Sequence, residues 1–169
     1  ASPVVERYTC FETLPKRHTD GLINLCLEAW NNDIFDQDFT AESLVSELHI
    51  EGEQYLYLAF DENNDVAGYL IEVPFEEEIR EEKYGMVAMP LPEGTKHSDV
   101  AYLESIAVFA NQQGKGYGQA LCEKFFQDCK ARNFKKVVLF TLSNNTESIK
   151  FFERVGFRMF DKITRNVEG

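Results

Sequence analysis

The spacing of apolar residues changes several times along the chain, and each change marks a predicted element. Runs rich in β-branched and aromatic residues predict strands, and these runs lie at residues 4–11, 54–60, 66–73, 100–108 and 157–163. The Asn/Asp-rich segment 61–65 predicts a hairpin turn between two of them. A continuous apolar run at 137–142 indicates one more strand, which we expect to be central and covered on both faces.

Apolar residues three and four positions apart predict four helices, at about 20–30, 41–50, 116–132 and 146–155. Thr19 or Asp20 is the expected N-cap of the first helix, and Gly156 is the expected stop after the last. The element order is therefore β-α-α-β-β-β-α-β-α-β. This order predicts a single α/β domain over residues 1–169, with helices on both faces of a mixed sheet.

The longest departure from this pattern is an acidic insertion at residues 74–98, between two predicted strands. Its glutamates are Glu76, Glu77, Glu78, Glu81 and Glu82. Loops of this length in compact domains are typically functional or mobile. A solvated acidic face is the alternative interpretation, and the sequence leaves both open.

The composition excludes several classes of protein. A hydrophobic fraction of 44% with 13% aromatic residues is too high for a disordered chain, and no apolar run reaches the ~18–20 residues of a membrane span. We expect no membrane partner for that reason. The net charge of −12 repels a polyanion, so we do not expect nucleic acid as a partner either. The same charge favours a cationic acceptor such as an amine, with solubility as its other interpretation. An anionic cofactor would need a local cradle of its own.

The four cysteines are Cys10, Cys26, Cys122 and Cys129, and they form no CxxC pair and no zinc spacing. We therefore expect reduced thiols in the core and no metal site. The first residues contain neither the basic nor the apolar part of an export signal, which predicts a cytoplasmic protein.

A glycine-rich turn lies between the predicted strand 100–108 and the helix that follows it. Its residues are Gln113, Gly114, Lys115, Gly116, Tyr117 and Gly118. Glycines let successive backbone N–H groups point at one site, and a helix N-terminus adds about half a positive charge, so the turn suits a phosphate or pyrophosphate. The spacing matches neither a P-loop, which needs Gly-Lys-Ser/Thr, nor a dinucleotide fingerprint, which needs G-x-G-x-x-G.

Three segments in this half of the chain carry a resemblance to a known family. They are the strand Leu103-Glu104-Ser105-Ile106-Ala107-Val108, the turn as a Q-x-x-G-x-G pattern, and Asn145-x-x-Ser148-x-x-Phe151-Phe152-Glu153-x-x-Gly156-Phe157. In this order and spacing the chain resembles the GCN5-related N-acetyltransferase (GNAT) superfamily. The resemblance implies a mostly antiparallel central sheet, acetyl-CoA (coenzyme A) as the cofactor, and pairing of two copies as a homodimer.

The resemblance also implies where the cofactor binds. The N–H groups of the glycine-rich turn, with Gln113, would hold the pyrophosphate of coenzyme A. The strand before the turn is bulged in the family, and pantetheine pairs with its free edge, which the backbone of Ile106 and Val108 would offer here. The implied cofactor-binding positions are Ile106, Ala107, Val108, Gln113, Gly114, Lys115, Gly116, Tyr117, Gly118, Asn145, Ser148 and Phe152.

For catalysis, the resemblance implies that an N–H near Ile106 polarises the thioester carbonyl. Glu104 is the candidate base for the amine proton, since strand alternation points it to the same face as Ile106; a structural carboxylate or a substrate anchor is the alternative. Many relatives have Tyr where this chain has Phe152, so their acid for the leaving thiolate is missing here. Tyr102 or Tyr117 could replace it; the other interpretation is core packing for Tyr102 and, for Tyr117, a residue that only lines the start of the helix.

Together these features predict an enzyme of the acyltransferase class. It would be an N-acetyltransferase that moves an acetyl group from acetyl-CoA to a primary amine by direct attack, and the acceptor would be a cationic small molecule or a protein amine. The alternative is a non-catalytic acyl-CoA-binding sensor or regulatory module, which the missing tyrosine makes worth testing.

Overall fold

The computed structural model describes residues 3–9, 13–30, 55–75, 93–139, 141 and 145–159. Within these ranges the chain forms five strands and three α-helices. They are β1 (Val4–Tyr8), α1 (Lys16–Trp30), β2 (Tyr55–Phe60), β3 (Val66–Pro74), β4 (Val100–Val108), α2 (Tyr117–Ala131), β5 (Lys136–Leu139) and α3 (Thr146–Arg154). None of the helices in the described ranges combines the length and the apolar character that crossing a membrane requires.

The strands form one sheet in the order β1-β2-β3-β4-β5. The first four pair antiparallel, and β5 runs parallel to β4. A parallel pair needs a crossover connection, and α2 supplies it. The predicted mixed, mostly antiparallel sheet is therefore confirmed.

Helices cover both faces of this sheet, as the sequence predicted. Successive residues of a strand point to opposite faces, so Leu56 and Leu58 of β2 pack with α1, while Tyr57 and Ala59 pack with α2. We call the two sides the α1 face and the α2 face. Because β2 and β3 are covered twice, almost all of their side chains are buried.

The first helix begins earlier than predicted. It starts at Lys16, so Thr19 and Asp20 lie within its first turns and neither is the N-cap. The carbonyl of Pro15 accepts hydrogen bonds from the N–H groups of His18 and Thr19. Asp20 instead pairs with Lys16 one turn away, with 2.6 Å between Nζ and Oδ2. The cap prediction was wrong because this local pair and the Pro15 carbonyl extend the helix by one turn.

The hairpin between β2 and β3 is confirmed, and its turn is anchored to α1. The carboxylate of Asp61 accepts hydrogen bonds from the N–H groups of Asn63 (2.8 Å) and Asp65 (3.0 Å). From α1, Arg17 donates to Asp65 at 2.7 Å, and His18 Nε2 donates to the carbonyl of Asn64 at 3.0 Å. The turn therefore positions the start of α1 on the sheet.

Other sequence predictions fall at the edge of the described ranges or beyond them. The strand predicted at 137–142 is β5, and within the described ranges it pairs only with β4 and ends the sheet, so the expected central position is not found there. The strand predicted at 157–163 is described only to Met159, and residues 157–159 form no strand. The helix at 41–50 and the insertion glutamates lie outside the described residues.

A charged network that the sequence did not predict lies on the α2 face. Glu72 of β3 is 2% exposed, and its Oε1 accepts a hydrogen bond from Arg132 Nη2 at 2.6 Å. Nearby, the Tyr57 hydroxyl donates to Asp128 at 3.0 Å, and Arg7 lies 3.6 Å from the same carboxylate. Burial raises the pKa of the Glu72 carboxyl, and the neighbouring Arg132 guanidinium opposes that shift.

Candidate active site

Strand β4 contains a β-bulge at Glu104. In the antiparallel ladder with β3, Ile71 faces Ser105 and Glu72 faces Leu103. Two consecutive residues of β3 thus span three of β4, and Glu104 is the additional one. A bulge bends its strand and changes its twist, and bulges are common next to active sites. The bulged strand implied by the resemblance is therefore present, at the residue singled out as the candidate base.

The bulge changes which side chains share a face. Before it, Tyr102 packs on the α1 face, and after it, Ile106 packs on the α2 face. Strict alternation would have placed Tyr102 and Ile106 on one side together with Glu104. With the bulge between them, alternation no longer supports a shared face for Glu104 and Ile106, and that placement stays a prediction. Glu104 itself is half-buried, and its role as a base stays a prediction that now depends on the bulge.

The pairing of β4 with β5 ends where the bulge begins. The parallel ladder runs from Val100 opposite Lys136 to Leu103 opposite Leu139. Beyond Leu103, no strand of the described ranges pairs with the side of β4 that faces away from β3. Among the residues that the structure describes, the last part of β4 therefore has an open edge.

The register shows which backbone groups face this open edge. Phe109 N donates to the carbonyl of Ala67 on the β3 side. Because an antiparallel strand alternates its hydrogen-bonding direction, the N–H and C=O groups of Val108 and Ile106 point the other way, toward the open edge. The Gln113 side chain donates to the Val108 carbonyl at 3.3 Å, which agrees with that direction. These are the two residues whose backbone groups were predicted to pair with pantetheine.

The glycine-rich turn follows directly after this edge and leads into α2. Gly114 and Gly116 have φ of +80° and +89°, and Gly116 is the N-cap of α2. A Cβ built on either glycine would meet nothing within 4 Å, so the space in front of the turn is open. The first turn of α2 contains no acidic residue that would oppose an anion. The first N–H groups of a helix have no intrahelical partner, and together with the helix dipole and the open space they fit a pyrophosphate.

Lys115 is held at the rim of the turn. Its Nζ donates to Gln112 Oε1 at 3.1 Å, and Gln112 Nε2 donates to Asp61 at 3.3 Å. This chain of side chains links the turn to the β2–β3 hairpin. Lys115 can therefore contribute positive charge to a bound phosphate while its side chain has a defined anchor.

Tyr117 and Gly118 join the start of α2 to the core. Tyr117 is 9% exposed and belongs to the core cluster of the α2 face. A Cβ on Gly118 would lie 3.0 Å from Cζ of Phe151, so the glycine lets α3 approach α2 closely. The burial of Tyr117 favours a packing role over a role as the acid for the leaving thiolate. Tyr102 is likewise in the core, with its ring 6.1 Å from that of Phe75.

Asn145, Ser148 and Phe152 lie on or beside α3. Asn145 is the N-cap of α3, and its Oδ1 accepts a hydrogen bond from the Ser148 N–H at 3.4 Å. Capping alone accounts for this pair, so their contact with the cofactor stays a prediction. The half-buried Phe152 ring makes edge contacts with Phe151 at 5.5 Å and Phe157 at 5.7 Å. It packs as an aromatic residue and has no hydroxyl for a leaving thiolate.

The described cysteines are not placed as nucleophiles. Cys26, Cys122 and Cys129 are buried and free, as predicted, whereas Cys10 lies outside the described residues. Burial raises the pKa of each of the three thiols to about 12. A thiol with such a pKa is almost entirely protonated at neutral pH, so it is a poor nucleophile.

One polar contact beside the bulge was missed by the sequence analysis. The hydroxyls of Tyr69 and Ser105 share a hydrogen bond, with 2.5 Å between the oxygens. The two residues are 36 positions apart, and only the register of β3 against β4 brings them together. The only signal in the sequence was a serine next to Glu104, in a strand motif whose other residues are apolar.

A comparison with known families identifies the chain. The profile of the Acetyltransferase (GNAT) family matches residues 21–157. This chain belongs to the GNAT family. The predicted family is therefore confirmed, and the enzyme class and cosubstrate that go with it are N-acetyltransferase and acetyl-CoA. The match covers both the open edge of β4 and the glycine-rich turn.

Individual relatives of this GNAT protein agree with its fold. AAC(6')-IG, an aminoglycoside antibiotic 6'-N-acetyltransferase from Acinetobacter haemolyticus, has a TM-score of 0.70 at 16% identity, covering 98% of both chains. AAC(6')-Iy, in complex with the bisubstrate analog CoA-S-monomethyl-acetylneamine, has a TM-score of 0.69 at 14% identity, covering 100% of this chain and 99% of that one. At such identities the likeness shows the fold alone.

A closer match in sequence covers less of the chain. The uncharacterized protein YxbD of Bacillus subtilis (strain 168) is 34% identical over 56 residues, which are 33% of this chain and 35% of YxbD. The match thus spans about a third of that relative.

Substituting Gly114 by alanine is expected to weaken acetyl-CoA binding by about tenfold. A φ of +80° costs a non-glycine residue roughly 1–2 kcal/mol. The turn avoids this cost by changing its backbone conformation, and that change moves its N–H groups away from the phosphate. Calorimetric titration with acetyl-CoA measures the loss. Gly94→Ala is the matched control, because Gly94 also has a φ of +80° with nothing within 4 Å of an added Cβ. Equal dissociation constants of the two variants for acetyl-CoA would contradict the assignment of the glycine-rich turn as the pyrophosphate site.

Proposed function

We propose that this GNAT protein transfers the acetyl group of acetyl-CoA to a primary amine of a cationic small molecule. One observation carries the proposal. The open edge of β4, with the backbone groups of Ile106 and Val108 directed into it, leads within a few residues to the phosphate cradle at Gly114 and Gly116. An extended cofactor arm needs these two features side by side, one for its backbone-like amides and one for its pyrophosphate.

Acetyl-CoA supplies a thioester, which an amine nitrogen can attack directly. In the transfer the C–N bond forms, the C–S bond breaks, and the amine loses a proton. The Ile106 N–H is directed toward the open edge, so it can donate to the thioester oxygen on which negative charge develops. A fixed backbone donor of this kind needs no reorganisation during the reaction. No covalent enzyme intermediate is involved, in keeping with the protonated state of the described thiols.

The acceptor must lose its proton before it can attack. A primary amine with a pKa near ~10.4 is neutral in only about one molecule in a thousand at neutral pH. Glu104, as the bulge residue two positions before Ile106, is the proposed base. Phe152 cannot protonate the departing thiolate, but a thiol with a pKa of ~8.5 is a tolerable leaving group as its anion. The proton then comes from solvent, and the absence of a tyrosine slows turnover without preventing it.

Charge supports a cationic acceptor. The net charge of −12 attracts cations to the protein and leaves the glycine-rich turn as a local site for anionic cofactor groups. The similar structure of AAC(6')-Iy was solved with an analog that joins coenzyme A to acetylneamine. That pairing supports an amine-rich small molecule as the acceptor here. A lysine side chain or protein N-terminus satisfies the same charge argument and is a separate arm of the test.

The deciding experiment follows release of free coenzyme A thiol from acetyl-CoA with a panel of acceptors. The panel contains aminoglycosides, polyamines, amino acids and short peptides, and a calorimetric titration with acetyl-CoA is run in parallel. We expect acetyl-CoA to bind and thiol release to depend on an aminoglycoside or polyamine. Release with peptides alone would replace the small-molecule acceptor by a protein amine. Absence of binding would overturn the assignment of the cradle.

A non-catalytic acyl-CoA sensor is the second candidate, and the packing of Phe152 is the observation that favours it. Its aromatic contacts with Phe151 and Phe157 occupy the position that carries the acid in many relatives. Acetyl-CoA binding without thiol release across the whole panel would support this candidate over the transferase.

A further inference from the structure

The hydrogen bond between Tyr69 and Ser105 joins the core to the bulge of β4. Ser105 directly follows the bulge residue Glu104 and directly precedes Ile106. It faces Ile71 in the ladder, so its side chain lies on the α1 face. Tyr69 lies on the same face and is completely buried. The contact therefore reaches the backbone between the proposed base and the proposed oxyanion donor.

The Tyr69 hydroxyl would destabilise the fold in this location if it had no hydrogen-bond partner. Its neighbours on the α1 face are mostly aliphatic and aromatic side chains, and a phenylalanine would fill nearly the same space. A buried hydroxyl without a partner destabilises a fold by roughly 1–3 kcal/mol. Here the hydroxyl bonds with Ser105 at 2.5 Å and also with the thiol of Cys26 on α1. The hydroxyl thus links α1, β3 and the bulged part of β4.

The backbone of β4 has the fewest constraints from neighbouring strands at the bulge. At Glu104 the regular ladder with β3 is interrupted, and from this point the strand has no partner on its other side within the described ranges. Ladder hydrogen bonds on one side alone leave the peptide planes of a bulge less constrained than those of a central strand. A small rotation there would turn the Ile106 N–H away from the thioester oxygen, and catalysis is sensitive to such misplacement.

We propose that Tyr69 is a positioning residue for acetyl transfer, and that it acts through Ser105. By holding the Ser105 side chain, it fixes the bulge of β4 and with it the direction of the Ile106 N–H and the position of Glu104. The inference rests on the proposed function for its kinetic consequence. Its structural consequence, a bulge that is rigid because of the Tyr69–Ser105 bond, holds independently of turnover.

The test uses Tyr69→Phe and Ser105→Ala, each of which removes one side of the bond. Both are expected to lower kcat for thiol release by about tenfold while KM for acetyl-CoA changes by less than about twofold, because the donor is misaligned and the cradle is intact. Ser105→Thr keeps a hydroxyl and is expected to retain most of kcat. The double variant is expected to be no slower than either single variant, since both remove the same interaction.

Tyr57→Phe is the matched control for loss of a buried hydroxyl. Tyr57 is also completely buried, but its hydroxyl donates to Asp128 on the opposite face of the sheet and does not bond to β4. It is expected to lower thermal stability without lowering kcat. If Tyr57→Phe reduced kcat as much as Tyr69→Phe, the kinetic effect would be a general loss of stability and the inference would fail.

Amide hydrogen exchange separates this inference from the proposed function. Mass spectrometry of the free protein measures exchange in the peptide that contains residues 104–106, with no acceptor needed. We expect faster exchange there in Tyr69→Phe than in Tyr57→Phe or the unchanged protein. If no acceptor is acetylated but this difference is seen, the proposed function and the kinetic role of Tyr69 fail, and only the structural consequence stands, namely a bulge held rigid by the Tyr69–Ser105 bond. Unchanged exchange and unchanged kcat in Tyr69→Phe would overturn the inference while leaving the transferase intact.

Discussion

Replacing Glu104 by glutamine is expected to lower kcat/KM for the amine by about 100-fold or more at neutral pH. General bases contribute roughly 10²–10⁴-fold, and glutamine keeps the shape of the side chain while removing its ability to accept a proton. The pH profile should change with the rate. Protonation of the amine itself still lowers kcat/KM at low pH in the variant, but the shape of the profile should differ from that of the unchanged protein, because no side chain then accepts the amine proton. Thiol release measured across the pH range with a saturating cofactor checks both effects.

A second substitution separates the base from a general effect of charge. Glu123 is an exposed glutamate on α2 whose Oε1 accepts a hydrogen bond from Gln119 at 3.1 Å. Glu123→Gln removes one negative charge without touching β4, and we expect its kinetics to match those of the unchanged protein. A Glu104→Gln variant with normal kcat but a raised KM for the amine would make Glu104 a substrate anchor. A normal rate and profile would leave it a structural carboxylate.

Arg132→Met is expected to lower the free energy of unfolding by about 3 kcal/mol. Removing one member of a buried ion pair leaves the other charge without compensation, which typically costs about 3–5 kcal/mol, and the side chain of Arg132 is itself 24% exposed. Arg132 also stacks over Tyr55, with its Cζ 4.5 Å from the ring centroid. For a chain of this size the loss corresponds to a fall in Tm of roughly 6–12 °C. Urea unfolding and thermal melts measure the change.

Two further variants identify the cause of that loss. Lys124→Met removes a cation from α2, the helix that Arg132 caps. Lys124 is 40% exposed and 3.6 Å from Asp128, and such pairs contribute only about 0–1 kcal/mol. Glu72→Gln combined with Arg132→Met removes the uncompensated charge of Glu72 and is expected to recover part of the stability. If the double variant were as unstable as Arg132→Met, lost packing of the arginine would explain the effect and the uncompensated charge would not.

The loss should also depend on pH, because it comes from the ionised form of Glu72. Burial raises the pKa of Glu72 in the folded state, and without Arg132 the pKa rises further. The folded state then holds this proton more tightly than the unfolded state, so the stabilising contribution is present at low pH and is lost as the pH rises through the folded pKa. We expect the difference between Arg132→Met and the unchanged protein to be larger at about pH 7.5 than at about pH 5.

Most elements could be predicted because their signals are local. The hairpin follows from an Asp/Asn-rich turn between two β-rich runs, and α2 and α3 follow from apolar residues at helical spacing. The glycine-rich turn is also a local signal, since Gly114 and Gly116 adopt the positive φ that only glycine adopts easily. The start of α1 was missed because the helix begins at Lys16, where the backbone carbonyl of Pro15 accepts the first hydrogen bonds, and neither Thr19 nor Asp20 caps it.

The site was predicted less completely, since its geometry depends on pairing between strands. The motif strand indicated Glu104 and Ile106, but the sequence contains no signal for the bulge that interrupts the alternation between them. Tyr69 with Ser105, and Glu72 with Arg132, are 36 and 60 positions apart and were not foreseen as pairs. The single domain, the homodimer and the cytoplasmic location stay predictions, as do the roles of Asn145 and Ser148 toward the cofactor.

The sequence by itself determined most of the elements, the glycine-rich turn and the family, because hydrophobic period, turn chemistry and motif spacing are properties of neighbouring residues. The tertiary structure alone decided where the sheet opens, which way the backbone of Ile106 and Val108 points, and which polar residues are buried together. Each of these depends on strand register. A shift of one residue at the bulge exchanges the faces of every side chain that follows, and no local pattern records that shift.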